Sequence, residues 1–227
     1  MGNEATKSKV YFGILEKKVF NGKGIDIGCG KDPVFKDVKS FDVQDGDANE
    51  ITNYVKEKFD FVFSSHCLEH MKNPFYTIKQ WYQLVKDKGY LYIFVPDEDL
   101  YEKRKFPSKY NDDHKWTFSV LKQTGATLRT INIIELLAIL PDARIMKIET
   151  QDYNYDYNLA NGGDQTLGNT TAQICFCVQK NKDYKNIDYK FKENRILKNL
   201  YYLINCFFVN ILILINIMTS KLRSLFR

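Results

Sequence analysis

The sequence predicts an α/β protein built on a doubly wound, mostly parallel sheet. Short apolar runs typical of buried strands alternate along the chain with segments whose apolar residues recur at helical spacing. Strands connected through helices in this way lie parallel, with right-handed crossovers. In addition, a glycine turn directly follows the first predicted strand. The chain has 227 residues, which is enough for one such domain and an appendage.

Each predicted element follows from its own apolar pattern, and the sequence contains no internal repeat. The predicted helices, with apolar residues in phase every three or four positions, are residues 10–19, 51–58, 73–85 and 130–140. The predicted strands, which are apolar runs between breakers such as Lys88-Gly89 and Pro96, are residues 24–28, 38–43, 59–65, 90–95, 144–150 and 172–180.

Charge separates a domain at residues 1–180 from a tail at residues 181–227. The chain has a net charge of +5, and because the tail alone carries +6, the domain is nearly neutral. A neutral domain does not suit a protein that must neutralise many phosphates, so no nucleic acid partner is expected. The sequence makes no prediction of the oligomeric state.

The tail contains an apolar segment at residues 200–218 that is interrupted by Asn205, Asn210 and Asn216 and flanked by basic residues. This segment barely reaches the ~20 residues of a membrane-spanning helix, and the asparagines disfavour a span. We expect a helix that contacts a membrane surface through residues 198–227. Packing against a partner or a second copy, and burial against the domain's own sheet, are the alternatives.

The five cysteines include no CxxC pair, and residues 1–10 contain no apolar signal segment. An odd number of cysteines without metal-binding or redox spacing indicates a reducing compartment rather than a disulfide framework. We therefore expect a cytoplasmic protein, which would be peripheral at the inner face of the cytoplasmic membrane if the tail is an anchor.

The glycine turn predicts a site for a nucleotide-like cofactor. Gly28 and Gly30 have no Cβ atoms, so a ligand can approach the backbone closely. Pro33 occupies the position of the third glycine in the dinucleotide-binding pattern, and Asp26 adds a carboxylate two residues before the first glycine. A nicotinamide site does not need this charge, whereas the ammonium of an amino-acid group would be bound by it. A further acidic residue, Asp42, ends the second predicted strand.

Several motifs in residues 24–95 resemble the successive motifs of class I S-adenosylmethionine-dependent methyltransferases, in particular the type 11-like group. They are Asp26-Ile-Gly-Cys-Gly30, Asp42, Gly46-Asp47-Ala48 and Phe59-Asp-Phe-Val-Phe-Ser-Ser-His-Cys-Leu-Glu-His70. The resemblance implies an enzyme that uses S-adenosylmethionine (SAM). It also implies a Rossmann-like methyltransferase sheet whose last strand is antiparallel.

The resemblance further implies which residues hold SAM. Asp26 would orient the methionine ammonium, Asp42 would accept both ribose hydroxyls, and Asp47 would accept from the adenine amino group. Asp47 follows Asp42 so closely that the helix between the second and third strands of the family must be nearly absent, and a turn residue is the alternative for Asp47. The expected cofactor-binding residues are Asp26, Gly28, Cys29, Gly30, Asp42, Val43, Asp47, Ala48 and Ser64.

The three histidines of the chain are candidates for the chemistry. If a helix begins at His66, then His66, Glu69 and His70 share one face of it. Some methyltransferases of this fold bind a divalent metal through Glu-x-x-Glu-His at the corresponding place. This likeness implies that His66, Glu69 and His70 bind a metal, completed by His114, and that the metal lowers the pKa of an acceptor hydroxyl. Imidazole ligands favour a transition metal. In the metal-free alternative, His70 or His114 is the general base, with Asp113 as the next candidate.

Residues 96–118 follow the strand at residues 90–95, and are therefore positioned to cover the acceptor at the carboxyl end of the sheet. Tyr101, Tyr110 and Trp116 could stack on a sugar or base. Basic residues 103–105 could bind a phosphate or could form only a solvated face. The segment resembles uncharacterised methyltransferases associated with bacterial surface-polysaccharide synthesis. This resemblance implies a small-molecule or glycan acceptor.

The expected function is SAM-dependent O-methyl transfer to a hydroxyl of a sugar, a sugar nucleotide or a related surface-polysaccharide precursor, with or without metal assistance. The alternatives are transfer to a phosphoryl oxygen or nitrogen of a capsule modification, and a catalytically silent methyltransferase-like scaffold. The intact residues Asp26, Gly28, Gly30 and Asp42 disfavour the scaffold. A nicotinamide oxidoreductase is the least favoured class.

Overall fold

The structure, a computed structural model, describes residues 3–122, 125–159 and 163–183. The chain divides into two compact units, Met1–Lys185 and Asn186–Arg227. The second unit contains the apolar segment at residues 200–218, so every interpretation of the tail lies outside the described residues. Within the described ranges, no helix has the length and apolar content that crossing a membrane requires.

The strands of the first unit form one large mixed sheet and one small parallel sheet. In chain order they are β1 (Gly24–Ile27), β2 (Lys39–Phe41), β3 (Phe59–Ser65), β4 (Val85–Pro96), β5 (Thr117–Ser119), β6 (Thr130–Asn132), β7 (Ala143–Gln151) and β8 (Gln173–Lys180). The large sheet has the order β2-β1-β3-β4-β8-β7, and β5 pairs with β6. β1, β2, β3 and β4 run parallel, whereas β8 is antiparallel to β4 and β7. The predicted fold class, with its antiparallel last strand, is confirmed.

Four α-helices and several short 3-10 turns connect the described strands. The helices are α1 (Glu4–Ser8), α2 (Ile14–Val19), α3 (Pro74–Gln83) and α4 (Ile133–Ala138). The 3-10 turns are Lys9–Tyr11, Ala48–Asn53, Leu68–His70, Tyr157–Leu159 and Gln165–Leu167.

Each face of the large sheet is covered by one apolar cluster, because alternate strand residues point to opposite faces. On one face, Ile25, Val62 and Leu91 pack with Trp81 of α3 and Leu136 of α4. On the other face, the cluster consists mainly of Phe61, Phe63, Tyr90, Tyr92, Phe94 and Val19. With both faces buried, the carboxyl ends of the parallel strands remain the place where a ligand can enter.

The predicted helix at residues 10–19 is wrong in its extent. Phe12 is extended, and α2 begins only at Ile14. The Gly13 backbone amide donates to Glu16 Oε2 at 2.8 Å, which caps the new helix. Val10 and Ile14 contributed to the predicted apolar pattern, yet they are 52% and 90% exposed. The break at Gly13 therefore divides what the spacing predicted as one helix.

The predicted helix at residues 51–58 is also wrong, because the structure forms a 3-10 helix at Ala48–Asn53 instead. Glu50 within it has non-helical angles (φ −128°, ψ 40°). The Asp47 carboxylate caps this helix by accepting from the Asn49 amide at 2.9 Å. The chain consequently passes from β2 to β3 without an α-helix, in agreement with the short spacing between Asp42 and Asp47.

The remaining predicted elements agree with the structure except around β4 and α4. β4 begins at Val85, within the predicted helix at residues 73–85, because α3 ends at Gln83. The first three residues of the predicted helix at 130–140 form β6, and α4 follows them. β5 lies in the segment after Pro96, which has no readable periodicity in the sequence.

Candidate functional site

The glycine turn after β1 uses left-handed backbone at two positions, with φ of 73° at Gly28 and 54° at Gly30. The Gly28 amide donates to the Phe41 carbonyl at 2.8 Å and ties the turn to the end of β2. A Cβ on Gly28 would lie 2.5 Å from Cys67 Sγ, whereas a Cβ on Gly30 would meet only Asp42 Oδ2, at 3.9 Å. Packing therefore requires glycine at 28, and the space beside Gly30 is open to a ligand.

Asp26 is buried at the end of β1, with 1% of its surface exposed. Its Oδ2 atom accepts from the Val34 amide at 2.7 Å, and Oδ1 has no hydrogen-bond partner among the described residues. Burial raises the pKa of Asp26 to about 7, an effect that the Val34 amide only partly offsets. A buried carboxylate oxygen without a donor is suited to receive a cationic group from a ligand.

A cavity of about 450 Å³ opens beside the turn, within the size range of small-molecule sites. Asp42 Oδ1 accepts from the Val43 amide at 2.7 Å, while Asp47 Oδ1 accepts from both the amide and the side chain of Asn49. The predicted residues on the cavity wall are Gly28, Asp42, Val43, Asp47 and Ala48.

The other predicted cofactor residues lie behind this wall or in the turn. Ser64 is fully buried, and its Oγ donates to the Ile27 carbonyl at 2.8 Å, so that only its backbone is available for the predicted role. Cys29 is half-buried in the turn, and burial raises the pKa of its thiol. Asp26 and Gly30 occupy the positions described above.

Sequence reasoning missed part of the cavity wall, namely Phe41, Gly46, Cys67 and Met71. Phe41 directly precedes Asp42, and Gly46 belongs to the Gly46-Asp47-Ala48 motif, so proximity in sequence could have identified both. Cys67 and Met71 flank the 3-10 turn Leu68–His70. The sequence feature that could have identified them is their apolar character close to the Glu69-His70 pair.

These residues fit SAM on structural grounds. The partnerless Oδ1 of Asp26 suits the methionine ammonium, and the half-buried carboxylate of Asp42 suits ribose hydroxyls. The apolar side chains of Phe41, Ala48 and Met71 on the same wall suit a planar base.

Glu69, His70 and His114 form a group whose ligand atoms all lie within 4.8 Å of one another. The Nε2 atoms of His70 and His114 are 4.0 Å and 3.9 Å from Glu69 Oε1. Glu69 is fully buried, and neither of its oxygens has a hydrogen-bond donor among the described residues. Two imidazoles and one carboxylate that converge in this way can hold a cation or accept a proton.

The Nδ1 atom of each of these histidines is next to a second carboxylate. Asp113 Oδ2 lies 2.9 Å from His70 Nδ1, and Glu102 Oε1 lies 2.6 Å from His114 Nδ1. Asp113 was predicted as a candidate base, but its carboxylate is 68% exposed and contacts His70. Glu102 was not predicted, since it looks like one charge among many in its segment.

His66 stands apart from the group that contains Glu69, His70 and His114. Its Nε2 atom lies 2.8 Å from Gln173 Oε1, and its Nδ1 atom lies 3.5 Å from Glu69 Oε1. Burial alone would lower its pKa, but the carboxylates of Glu69 and Glu4 raise the pKa to about 9. Three of the four predicted ligands, Glu69, His70 and His114, thus have ligand atoms that all lie close to one another. The predicted helix from His66 is wrong, because the helical turn begins at Leu68 and His66 has a φ of 53°.

The pKa of the Glu69 carboxyl group is affected by all three histidines. Burial raises the pKa of Glu69, but the close contact with His66 and the charges of His66, His114 and His70 outweigh burial, so the pKa lies below its usual value. Glu69 is therefore ionised at neutral pH.

The segment after Asn111 is hydrogen-bonded to the turn that carries Glu69 and His70. The Lys115 amide donates to the Glu69 carbonyl at 2.9 Å, and Lys115 Nζ donates to the His70 carbonyl at 2.6 Å. Trp116 Nε1 donates to the Met71 carbonyl at 3.0 Å. Three consecutive carbonyls are thus held by two neighbouring residues, which explains how His114 reaches Glu69.

The predicted acceptor-binding side chains separate into two kinds. The Tyr101 ring lies 5.4 Å from the His114 ring and 5.7 Å from the Tyr110 ring, so these tyrosines border the site. Trp116 packs against the core and under Arg129, at 5.1 Å. Lys103 pairs with the Tyr155 ring at 4.5 Å. Trp116 and Lys103 therefore have structural partners of their own.

A family model and several solved structures are similar to this chain. A model of a methyltransferase domain family matches residues 10–137. A SAM-dependent methyltransferase from Archaeoglobus fulgidus is 15% identical, with coverage of 79% of this chain and 95% of that chain and a TM-score of 0.46. A SAM-dependent methyltransferase from Methanosarcina mazei is 13% identical, with coverage of 75% and 98% and a TM-score of 0.46. The plantazolicin methyltransferase BpumL in complex with SAH is 16% identical, with coverage of 79% and 83% and a TM-score of 0.43.

A comparison with curated proteins found no match. The family match covers more than half of the chain. The chain therefore belongs to the methyltransferase domain family.

Proposed function

We propose that the protein is an O-methyltransferase that transfers the methyl group of SAM to a hydroxyl of a sugar, a sugar nucleotide or a related surface-polysaccharide precursor. The observation that carries this proposal is the group of Glu69, His70 and His114. Glu69 and His70 lie in sequence between the cavity residues Cys67 and Met71, and His114 belongs to residues 96–118, the segment expected to cover the acceptor. A hydroxyl must lose its proton to attack a methyl carbon, and this group offers proton acceptors and metal ligands.

SAM supplies an electrophilic methyl group when bound. Asp26 would bind the ammonium through Oδ1, and Asp42 would bind the ribose hydroxyls. Asp47 is the weaker candidate for the adenine contact, because its Oδ1 atom already accepts two hydrogen bonds from Asn49. Gly30 leaves room for the ligand to lie against the turn.

Deprotonation of the acceptor could proceed in two ways. In the metal-assisted version, Glu69, His70 and His114 would hold a divalent transition metal, which would supply Lewis acidity to lower the pKa of the hydroxyl. Burial supports this version, since Glu69 is fully buried and neither of its oxygens has a hydrogen-bond donor among the described residues. A divalent cation bound there would offset the buried negative charge of Glu69. In the metal-free version, Nε2 of His70 or His114 takes the proton.

The surroundings of the histidines favour a neutral polar acceptor. The Tyr101 ring lies beside His114, and a sugar ring could pack near it. The buried carboxylates of Glu69 and Glu102 would repel an anionic phosphoryl group unless a metal is bound. This charge supports a hydroxyl over a phosphoryl oxygen as the acceptor atom.

Calorimetric titration with SAM, metal analysis and assays of SAH release test the proposal. The acceptor panel contains sugar nucleotides, free hexoses, sugar phosphates and primary amines. We expect product from hydroxyl acceptors, and about a 10²- to 10⁴-fold loss of rate in His70→Ala and His114→Ala with SAM binding retained. The exposed neighbour Asp112→Ala is the matched control. Methylation confined to amines or phosphoryl groups would contradict the proposal, and full activity after chelation would leave the metal-free version.

We also propose that residues 198–227 attach the enzyme peripherally to the inner face of the cytoplasmic membrane. The basic flanks of the apolar segment support this interpretation, because anionic lipids attract them. Such a location suits an enzyme that modifies a lipid-linked glycan.

A further inference from the structure

We propose that Glu102 is a positioning residue that fixes the His114 imidazole with its Nε2 atom free of a proton and turned toward Glu69. The inference rests on the proposed function, because it concerns how one of the proposed ligands or bases is oriented. Glu102 itself contacts the ring and not the reacting atoms.

The geometry of the pair carries the inference. Glu102 Oε1 lies 2.6 Å from His114 Nδ1, and the opposite ring nitrogen lies 3.9 Å from Glu69 Oε1. A carboxylate accepts only, so Nδ1 must carry the proton in this contact, and a neutral ring then has a bare Nε2 lone pair. Metal-binding histidines in proteins are held by such carboxylates, which fix both the tautomer and the ring orientation.

Burial makes the contact rigid. Glu102 is 0% and His114 5% exposed, so water does not compete with the pair. Glu102 Oε2 is buried without a hydrogen-bond partner among the described residues. An incompletely paired buried carboxylate destabilises a fold, which indicates that Glu102 serves the site rather than stability alone.

Both partners are held by their own backbone. The Asp97 carboxylate accepts from the amides of Asp99 and Leu100, each at 2.8 Å, and thereby caps the turn that follows β4. The Glu102 amide donates to the Asp97 carbonyl at 3.2 Å, and the His114 amide donates to the Asn111 carbonyl at 3.2 Å. The orientation is therefore set by two turns that do not depend on a ligand.

His70 provides a comparison within the same site. Its Nδ1 atom lies 2.9 Å from Asp113 Oδ2, but that carboxylate is 68% exposed. The Asp113 backbone carbonyl also lies 3.2 Å from the same nitrogen, so an acceptor remains when the carboxylate is removed. We therefore expect the loss of Glu102 to affect the site more than the loss of the Asp113 carboxylate.

Titration of the full chain with Co²⁺, followed by absorption and calorimetry, tests this expectation. Glu102→Gln should weaken Co²⁺ binding about 10- to 100-fold, Asp113→Asn should weaken it less, and Glu102→Asp should restore part of the affinity. SAM binding should remain unchanged in each variant. The matched control is Glu98→Gln, another buried carboxylate of the same segment, whose partners include Lys122 and Ala126. Equal Co²⁺ affinity of the wild type and Glu102→Gln would overturn the inference.

The tautomer of His114 gives a second readout that needs neither metal nor a stable variant. Two-bond proton–nitrogen correlation spectra of the metal-free wild type should show the His114 proton on Nδ1. A proton on Nε2 in the wild type would overturn the inference. Absence of Co²⁺ binding by the wild type would instead contradict the metal-assisted function, and the tautomer would then decide the role of Glu102.

Discussion

Among the individual residues, Asp26 combines burial with a hydrogen-bond acceptor that has no donor among the described residues. Burial raises the pKa of its carboxyl group to about 7. Without a ligand, the ionised form is therefore unfavourable. A bound ammonium would provide the missing partner and favour ionisation.

The first prediction concerns the stability of the protein without SAM. Asp26 has a folded pKa of about 7 against an ordinary value of 3.8, so between these pH values the unfolded chain has released a proton that the folded chain retains. The stability of the wild type should consequently fall as pH rises from about 4 to 7. Asp26→Asn should remove this dependence and raise Tm at pH 8 but not at pH 4. Thermal unfolding measures the effect, with the exposed Asp37→Asn as control. An unchanged Tm at pH 8 would contradict it.

The second prediction concerns SAM binding by the same residue. Affinity should rise as pH increases through 7, because Asp26 binds an ammonium only when ionised. Asp26→Asn should bind SAM about 10-fold more weakly or worse at pH 8, with little dependence on pH in this range. Calorimetry at pH 6, 7 and 8 measures both quantities. A wild-type affinity that is independent of pH would contradict the role of Asp26.

Within single elements, the turn after β1 separates two uses of glycine. Both residues have left-handed backbone, but only Gly28 has a neighbouring side chain, Cys67, in the space of a Cβ. Gly28 is therefore needed for the fold, whereas the space beside Gly30 is open to the proposed ligand. The 3-10 turn Leu68–His70 has a similar double role, since Cys67 and Met71 border the cavity while Glu69 and His70 point to His114.

The third prediction compares alanine at these two positions. Gly30→Ala should lower the free energy of unfolding by about 1–2 kcal/mol, the cost of a left-handed alanine, and should abolish detectable SAM binding. Gly28→Ala should cost about 2–5 kcal/mol, since a contact with Cys67 is added to the same strain. Urea unfolding and calorimetry distinguish the two variants. Equal losses of stability would show that the contact with Cys67 relaxes without cost.

On the scale of the whole molecule, the site is assembled from segments that are distant in sequence. Turn 68–70 follows β3, Glu102 follows β4, and His114 lies in a later loop that is tied back to Glu69, His70 and Met71 by hydrogen bonds from Lys115 and Trp116. The carboxyl ends of parallel strands meet at one edge of the sheet, and these segments come together there.

The fourth prediction separates the two units of the chain. A chain that ends at Lys185 retains the whole first unit and should bind SAM with the affinity of the full chain. It should lose flotation with liposomes that contain anionic lipid, because residues 198–227 are the proposed anchor. A flotation assay of both chains measures this difference, with neutral liposomes as the control. Equal flotation of the two chains would contradict membrane attachment.

Periodicity and spacing in the sequence were sufficient to predict the sheet and its class, whereas the methyl donor was predicted from the resemblance of the motifs to those of SAM-dependent methyltransferases. Strands of an α/β sheet are buried on both faces, so they appear in the sequence as apolar runs. The glycine turn and the neighbouring Asp26 and Asp42 can also be identified from residues that are close in sequence. The prediction of one helix at residues 10–19 was wrong in its extent, because the spacing of apolar residues does not reveal a helix break such as the one at Gly13. The prediction of a helix at residues 51–58 was wrong, because apolar content cannot distinguish a 3-10 turn from an α-helix.

Only the tertiary structure decided which ionisable groups meet. In the structure, Glu69 lies close to His70 and His114, and His66 contacts Gln173. The unpredicted Glu102 contacts His114. The sequence separations of these pairs carry no periodic signal, because loops between distant strands determine them. The sequence by itself therefore determined the fold class and, through its motifs, indicated the cofactor, whereas packing of the loops over the sheet edge decided which ionisable groups meet at the proposed acceptor site.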